Sequence, residues 1–373
     1  MTLRDVSRIR LERRLERSRA AAFAIPLLSL ILASVFGGIL LTLAGANPFE
    51  TYRAMLVGAF GSRYAISETF VKAIPLMLAG LGVSIAFRML FWNIGAEGQL
   101  AMGAFAAAGT ALFIVPHIPP GLALPLVIVA GFVAGAAWGI IPALLKAWVG
   151  VNEIITTLMM NYIAILWIEY LFYGPWKDPQ GYGFPGTAEF PAVAWLPRLA
   201  NTRVHLGLLI AIVAAAFIWL VLSRTKWGYE IRVIGENPVA ARYAGISTAR
   251  NIILVMLLSA GLAGLVGMAE VAGVSHRLQK GVTVGYGYTA IIVAWLAKLN
   301  PWAVLVVAFL LAGLLVGGDQ IQITMGLPAS MALVLQGIIL FLVLGGEILT
   351  QYRIRLARPA PAPRPTDAEG APS

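Results

Sequence analysis

The sequence predicts an all-α, polytopic membrane protein with about ten transmembrane helices and both termini in the cytoplasm. Three observations carry this expectation. Of 373 residues, 60% are hydrophobic and only 12% are charged. Mean hydropathy is +0.84. The apolar residues also gather in runs of about 20, the length of a helix that crosses a hydrocarbon layer. Aqueous domains carry roughly a quarter charged residues, so a chain this apolar needs lipid as the solvent for much of its surface.

In chain order, the runs lie at 21–46, 71–91, 95–115, 122–148, 154–173, 206–222, 252–273, 286–297, 302–317 and 330–349. The first follows a basic segment and ends in Ala44-Gly45-Ala46, a small-residue pattern like a signal cleavage site. Its apolar stretch is far longer than a signal core of about 7–15 residues, so it reads as an uncleaved anchor. The eighth run is short and reads as tilted, broken or extended upstream through Val282–Tyr288.

Threading ten spans from a cytoplasmic N-terminus leaves only Arg53, Arg63, Lys72, Lys177, Arg198, Arg203, Arg277 and Lys280 outside; the other 19 of 27 Lys and Arg fall inside. That asymmetry is the positive-inside pattern, and an odd number of spans weakens it. The net charge of +10 therefore has a topological origin and does not imply nucleic-acid binding. The resulting organisation is a cytoplasmic basic segment at 1–20, a transmembrane domain at 21–350 with a cytoplasmic loop at 223–251, and a disordered Pro- and Ala-rich cytoplasmic tail at 351–373.

Catalytic chemistry is hard to find. There is no Cys, and His117, His205 and His276 are too few and too scattered for a histidine metal cluster. The sequence lacks the G-x-x-x-x-G-K-[ST] phosphate loop, H-E-x-x-H and G-x-S-x-G. Gly181, Gly183 and Gly186 match G-x-G-x-x-G, but they sit among prolines in the longest outer loop without the strand a dinucleotide site requires.

A few polar groups lie within the apolar runs. Glu97, flanked by Asn93 and Gln99 in FWNIGAEGQLAMGAF, sits beside Gly95 and Gly98. It reads either as part of a helix break lining a path or as a cytoplasmic-side turn countered by Arg88. Glu153, Thr157 and Asn161 recur every four residues and share one helix face, with Asn152 as the N-cap. Such a stripe is either interhelical glue or the wall of a hydrated path. Glu270 carries the same two readings, as do Asp319, Gln320 and Gln322.

In the loop at 223–251, Asn237-Pro238 reads as N-cap and first helical residue, and Gly245 as the stop. A rod of about two turns follows, Pro238–Ala244, with Val239 and Tyr243 on one face. It fits either a groove on a soluble partner or an anionic lipid surface.

FWNIGAEGQLAMGAF (91–105), NEIITTLMMNYIA (152–164), GENPVAARYAGIS (235–247) and GYGYTAIIVAWLAKLNP (285–301) resemble the permease subunits of bacterial ATP-binding-cassette importers for ribose, branched-chain amino acids and nucleosides. They are most similar to the nucleoside branch, and the second segment to the larger of its two permeases. The resemblance runs from about residue 20 to 350.

It implies a multi-pass subunit of the bacterial inner membrane that transports a small solute and is not itself an enzyme. Its partners are a second permease, a cytoplasmic ATPase that uses the ATP, and an external substrate-binding lipoprotein, with no cofactor held by the chain. It also implies that Gly235, Glu236, Asn237, Pro238, Val239, Ala240, Ala241, Tyr243 and Gly245 belong to the helix that couples to the ATPase. Sugar and branched-chain amino acid permeases stand as alternatives within the class. An ion-coupled transporter with Glu97, Glu153 or Glu270 carrying protons is the alternative outside it.

Overall fold

The computed structural model describes residues 8–13, 19–181, 183–328 and 330–357, which form two compact units. The smaller unit comprises 1–45 and 337–373 and contains α1 (Arg19–Leu43) and most of α13 (Ser330–Gln351). In it β1 (Arg8–Arg13) pairs antiparallel with β2 (Tyr352–Ala357), Arg8 opposite Ala357 and Arg13 opposite Tyr352. This ribbon departs from the disordered tail expected from residue 351. Extended strands that pair satisfy each other's backbone groups, a long-range partnership no local pattern announces. Residues 1–7 and 14–18 of the basic segment, and 358–373 of the tail, lie outside the described residues.

The larger unit, 46–336, is helical. It holds α2 (Pro48–Phe60), α3 (Arg63–Arg88), α4 (Ala96–Gly109), α5 (Pro120–Leu144), α6 (Glu153–Tyr173), α7 (Gly207–Arg224), α8 (Lys226–Glu236), α9 (Pro238–Tyr243), α10 (Thr248–Glu270), α11 (Tyr286–Leu296) and α12 (Pro301–Met325). Local chemistry sets many of these starts. Asn-Pro pairs open α2, α9 and α12, where Asn47, Asn237 and Asn300 accept first-turn N–H groups and Pro occupies the position whose missing N–H costs nothing.

Every one of the ten predicted runs is helical. Among the described residues, seven helices are long and apolar enough to cross a membrane, and eight if α1 and α2 together count as one. Helix α11 and the apolar part of α13 are shorter than that test requires. The helical, many-span membrane architecture follows directly: in hydrocarbon a helix is the way an isolated segment satisfies its own backbone. Helices α2 and α8 are additions to the sequence reading. In α8, Gly228, Ile231 and Ile234 are buried at spacings of three, a periodicity hidden by the polar residues between them.

Helices α3 and α10 form the centre. Their apolar windows are 89% and 78% buried, against 28% for α5 and for α6, which therefore present broad faces outward. Helix α10 lies against α3, α4 and α5, and glycine makes the approach possible. A methyl group on Gly264 would collide with the Gly131 carbonyl, and one on Gly267 with the Leu100 carbonyl. Backbone contact of this kind maximises dispersion between helices where lipid removes the hydrophobic drive to associate.

Gly264→Ala should therefore lower the unfolding free energy in detergent by about 1–3 kcal/mol, the usual cost of overpacking. Gly121→Ala, where an added Cβ meets nothing within 4 Å, should change it by less than about 0.5 kcal/mol. Thermal unfolding followed by tryptophan fluorescence separates the two.

Candidate functional site: a buried polar seam, a charged cavity and an exposed rod

Helix α3 ends at Arg88, and the chain turns through Met89–Gly95 before α4 begins. This break is closed by side chains. Asn93 and Gln99 exchange amide hydrogen bonds, both 3.0 Å, and Asn93 also donates to Ser259 Oγ of α10 at 3.0 Å. From α6, Asn161 Oδ1 accepts the Gly98 N–H at 2.8 Å while its Nδ2 donates to Ile94 O at 2.9 Å and to the Tyr288 hydroxyl at 3.2 Å. Thr157 Oγ1 accepts the Ile94 N–H at 3.3 Å.

Glu97 faces neither water nor Arg88, which donates instead to Leu299 O. Only 1% exposed, it accepts the N–H groups of Gly285 and Gly287 at 2.7 and 2.6 Å. Those groups open α11, and the first N–H groups of a helix have no intrahelical partner. A carboxylate there also meets the positive end of the helix dipole. Gly285 is in the left-handed region, φ +92°, which favours glycine at the turn. At the edge of the seam, Glu153 pairs with Lys146 at 2.6 Å. Thus Glu153, Thr157 and Asn161, which the sequence spacing places on one face, come together with Asn93, Glu97 and Gln99, a meeting that no spacing announces, and Ser259 and Tyr288 join them.

Glu270 lies elsewhere. With Glu68, Lys72, Arg203 and Tyr286 it lines a cavity of about 290 Å³. A neighbouring cavity of about 460 Å³ shares Glu68 and Lys72 and adds Asp319 and Gln320. Lys72 pairs with Asp319 at 3.7 Å and Arg203 with Glu68 at 3.1 Å. Sequence reasoning passed over Glu68 and Lys72, although two charges spaced i, i+4 at the edge of an apolar run were the available signal.

The segment between α6 and α7 folds across the end of α10. Thr187, Phe190 and Leu196 donate backbone hydrogen bonds to Leu278 O, His276 O and Ala272 O at 2.8–2.9 Å. The glycine triplet at 181–186 belongs to this surface segment. His276 stacks on Trp195 with ring centroids 4.0 Å apart. His205 is fully buried and held down at about 4, first by burial and then by His276. It therefore stays neutral at physiological pH and packs as part of the loop's footing. Among the described residues, no group of three His, Cys, Asp or Glu could hold a metal ion.

On the opposite end of α10, α9 is the rod expected from the sequence. Asn237 Oδ1 accepts the Val239 and Ala240 N–H groups at 3.0 Å each. The stop is a left-handed Gly245, φ +74°, with Ile246 N–H returning to Ala241 O at 3.0 Å. Ala241 is buried, whereas Val239 is 59% and Tyr243 90% exposed. Gly235 sits so close to the Arg88 carbonyl that it admits no side chain, which seats α8 on the end of α3.

Residues 65–344 match the family described as the branched-chain amino acid transport system permease component. The chain belongs to that family. It is 36% identical over 347 residues to the glucose ABC transporter permease TsgB13 of Haloferax volcanii, covering 90% of each chain. It is 35% identical over 345 residues to the guanosine ABC transporter permease NupP of Bacillus subtilis, covering 90% of this chain and 96% of that one. With the nucleoside ABC transporter permease NupB of Lactococcus lactis it shares 31% over 329 residues, 86% and 90% of the two chains. The protein is accordingly an integral membrane permease subunit of an ATP-binding-cassette importer. ATP hydrolysis belongs to a separate subunit, and the ion-coupled alternative is set aside.

The seam has a measurable consequence. Glu97→Ala should cost about 3 kcal/mol or more, because two N–H groups lose a charged acceptor where no water replaces it. Glu153→Ala, which removes a buried carboxylate but leaves a Lys146 that is one-third exposed and can turn to water, should cost less, about 1–2 kcal/mol. Unfolding of the purified variants in detergent gives both values.

Proposed function

We propose that this permease imports nucleosides as the larger of two non-identical permeases, with ten membrane crossings and both termini in the cytoplasm. The observation that supports the substrate most directly is the similarity to a guanosine permease along 90% of the chain. The 36% identity to a glucose permease favours a second reading, a sugar importer. The ten crossings are supported by the helix found at every predicted run and by the placement of 19 of 27 cationic residues on one side.

In this reading the path runs beside α3, α10 and α12, with Glu270 on its wall. Asn93, Glu97, Gln99, Glu153, Thr157 and Asn161 form the seam that keeps the wall rigid. The Lys72–Asp319 pair is 37% and 54% exposed on the flank of two spans. Charges there need water or protein against them rather than lipid, which favours a second permease on that side. The chain itself holds no cofactor.

Helix α9, with Gly235 and Glu236 leading into it and Gly245 closing it, docks on the ATPase through the exposed Val239, Ala240 and Tyr243. Closure of the two ATPases on ATP moves these rods and tilts the permeases, so the path opens alternately to an external lipoprotein and to the cytoplasm.

Uptake of radiolabelled guanosine by proteoliposomes holding both permeases, the ATPase and the lipoprotein should be competed by nucleosides and not by glucose or leucine. Competition by glucose alone would replace the nucleoside reading with the sugar one. Ala240→Glu should reduce uptake at least tenfold while membrane insertion is retained, because a buried carboxylate at a docking surface opposes association. Normal uptake in that variant would remove α9 from the coupling role.

A further inference from the structure

Resting on the nucleoside reading, we propose that the 290 Å³ cavity binds the vicinal hydroxyls of the passing solute's sugar, with Glu270 accepting and Tyr286 and Lys72 flanking it. Tyr286 is only 5% exposed and lines the cavity, yet among the described residues its phenol makes no hydrogen bond. The phenol therefore offers the cavity a free donor, and its pairing with a ligand group adds binding energy. Glu270 lines the same cavity, and its carboxylate makes no hydrogen bond or ion pair among the described residues. The surrounding charges are engaged: Arg203 holds Glu68, and Lys72 holds Asp319. Glu68 Oε1 also lacks a hydrogen-bond partner but is fully buried, which leaves Glu270 as the unpaired carboxylate on the cavity wall.

The ligand class follows from that inventory. A carboxylate presents two adjacent oxygens, which suit two adjacent hydroxyl groups. The acidic residue that reads ribose in dinucleotide folds uses the same match. Glucose and guanosine, the solutes named for two relatives that this chain resembles almost equally, differ in ring size and in the purine base but both carry a vicinal diol. Leucine has none. The cavity is near the lower end of the range for small-molecule sites and suits a sugar ring. It lies at the end of α10 away from α9, beneath the segment between α6 and α7.

The test compares wild type, Glu270→Gln and Tyr286→Phe in the complete reconstituted importer, expressed per assembled complex. The measured quantity is the ratio of uptake kcat/KM for guanosine over 2′,3′-dideoxyguanosine. The lipoprotein is common to all three, so its own selectivity cancels in the comparison. Loss of a hydrogen bond to a charged group should lower the ratio about tenfold in Glu270→Gln. It should fall several-fold in Tyr286→Phe, which removes a single oxygen and keeps the question answerable if the first variant assembles poorly. An unchanged ratio in assembled variants overturns the proposal. If wild type moves glucose and not guanosine, the nucleoside reading fails, and the same ratio for glucose over 2-deoxyglucose decides the diol site. Uptake confined to amino acids overturns both.

Discussion

A carboxylate set against the start of a short helix holds the centre of this permease together. Helix α11 has 11 residues, about half the length of a full span, and its first N–H groups open inside the protein. Lipid supplies no acceptor for them. Glu97 does, through Gly285 and Gly287, while Asn161 performs the same service for the start of α4. Two helix starts within one bundle are thus satisfied by two side chains, and the left-handed turn at Gly285 is tolerated because the bonds beyond it are made.

That seam also explains how so many polar groups coexist with an apolar interior. Asn93, Gln99, Ser259, Thr157, Asn161 and Tyr288 each have a partner within it. A network of this kind is stabilising only when every member is satisfied. It therefore behaves as a rigid joint between α4, α6, α10 and α11, and glycine contacts such as Gly264 on Gly131 extend that rigidity through α5. The remaining charges behave differently. Glu68, Lys72, Arg203, Glu270 and Asp319 surround open space, and the pairs among them are partly exposed. Stiff seam and open cavity meet at the start of α11, where Glu97 bonds Gly285 and Gly287 and Tyr286 lines the cavity.

Much of this was legible beforehand. Asn237-Pro238 and Gly245 specify α9 within six or seven residues of sequence, because capping is a local exchange of hydrogen bonds. The i, i+4 recurrence of Glu153, Thr157 and Asn161 placed them on one face correctly, and hydropathy located a helix at each of ten runs. The reading failed where polar and apolar residues mix. Helix α2 carries Glu50 and Arg53 within 13 residues, and α8 interleaves Lys226, Glu230 and Arg232 with its buried positions, so neither reads as a span. The strand pairing of residues near the two chain ends was hidden for the same reason that any distant pairing is.

The membrane architecture, the helix positions and the rod were determined by the sequence, since each depends on groups within a few turns of one another and on the length a hydrocarbon layer demands. The meaning of the polar residues was decided by tertiary structure. Glu97 finds its partners 188 and 190 positions away, and Lys72 finds Asp319 on a helix near the other end of the chain. A carboxylate in an apolar run must be neutralised or bonded, and the sequence states that requirement. Which group meets it is settled only when the helices pack, and for Glu270 it is the charge of Lys72 across a shared cavity, without a direct ion pair among the described residues.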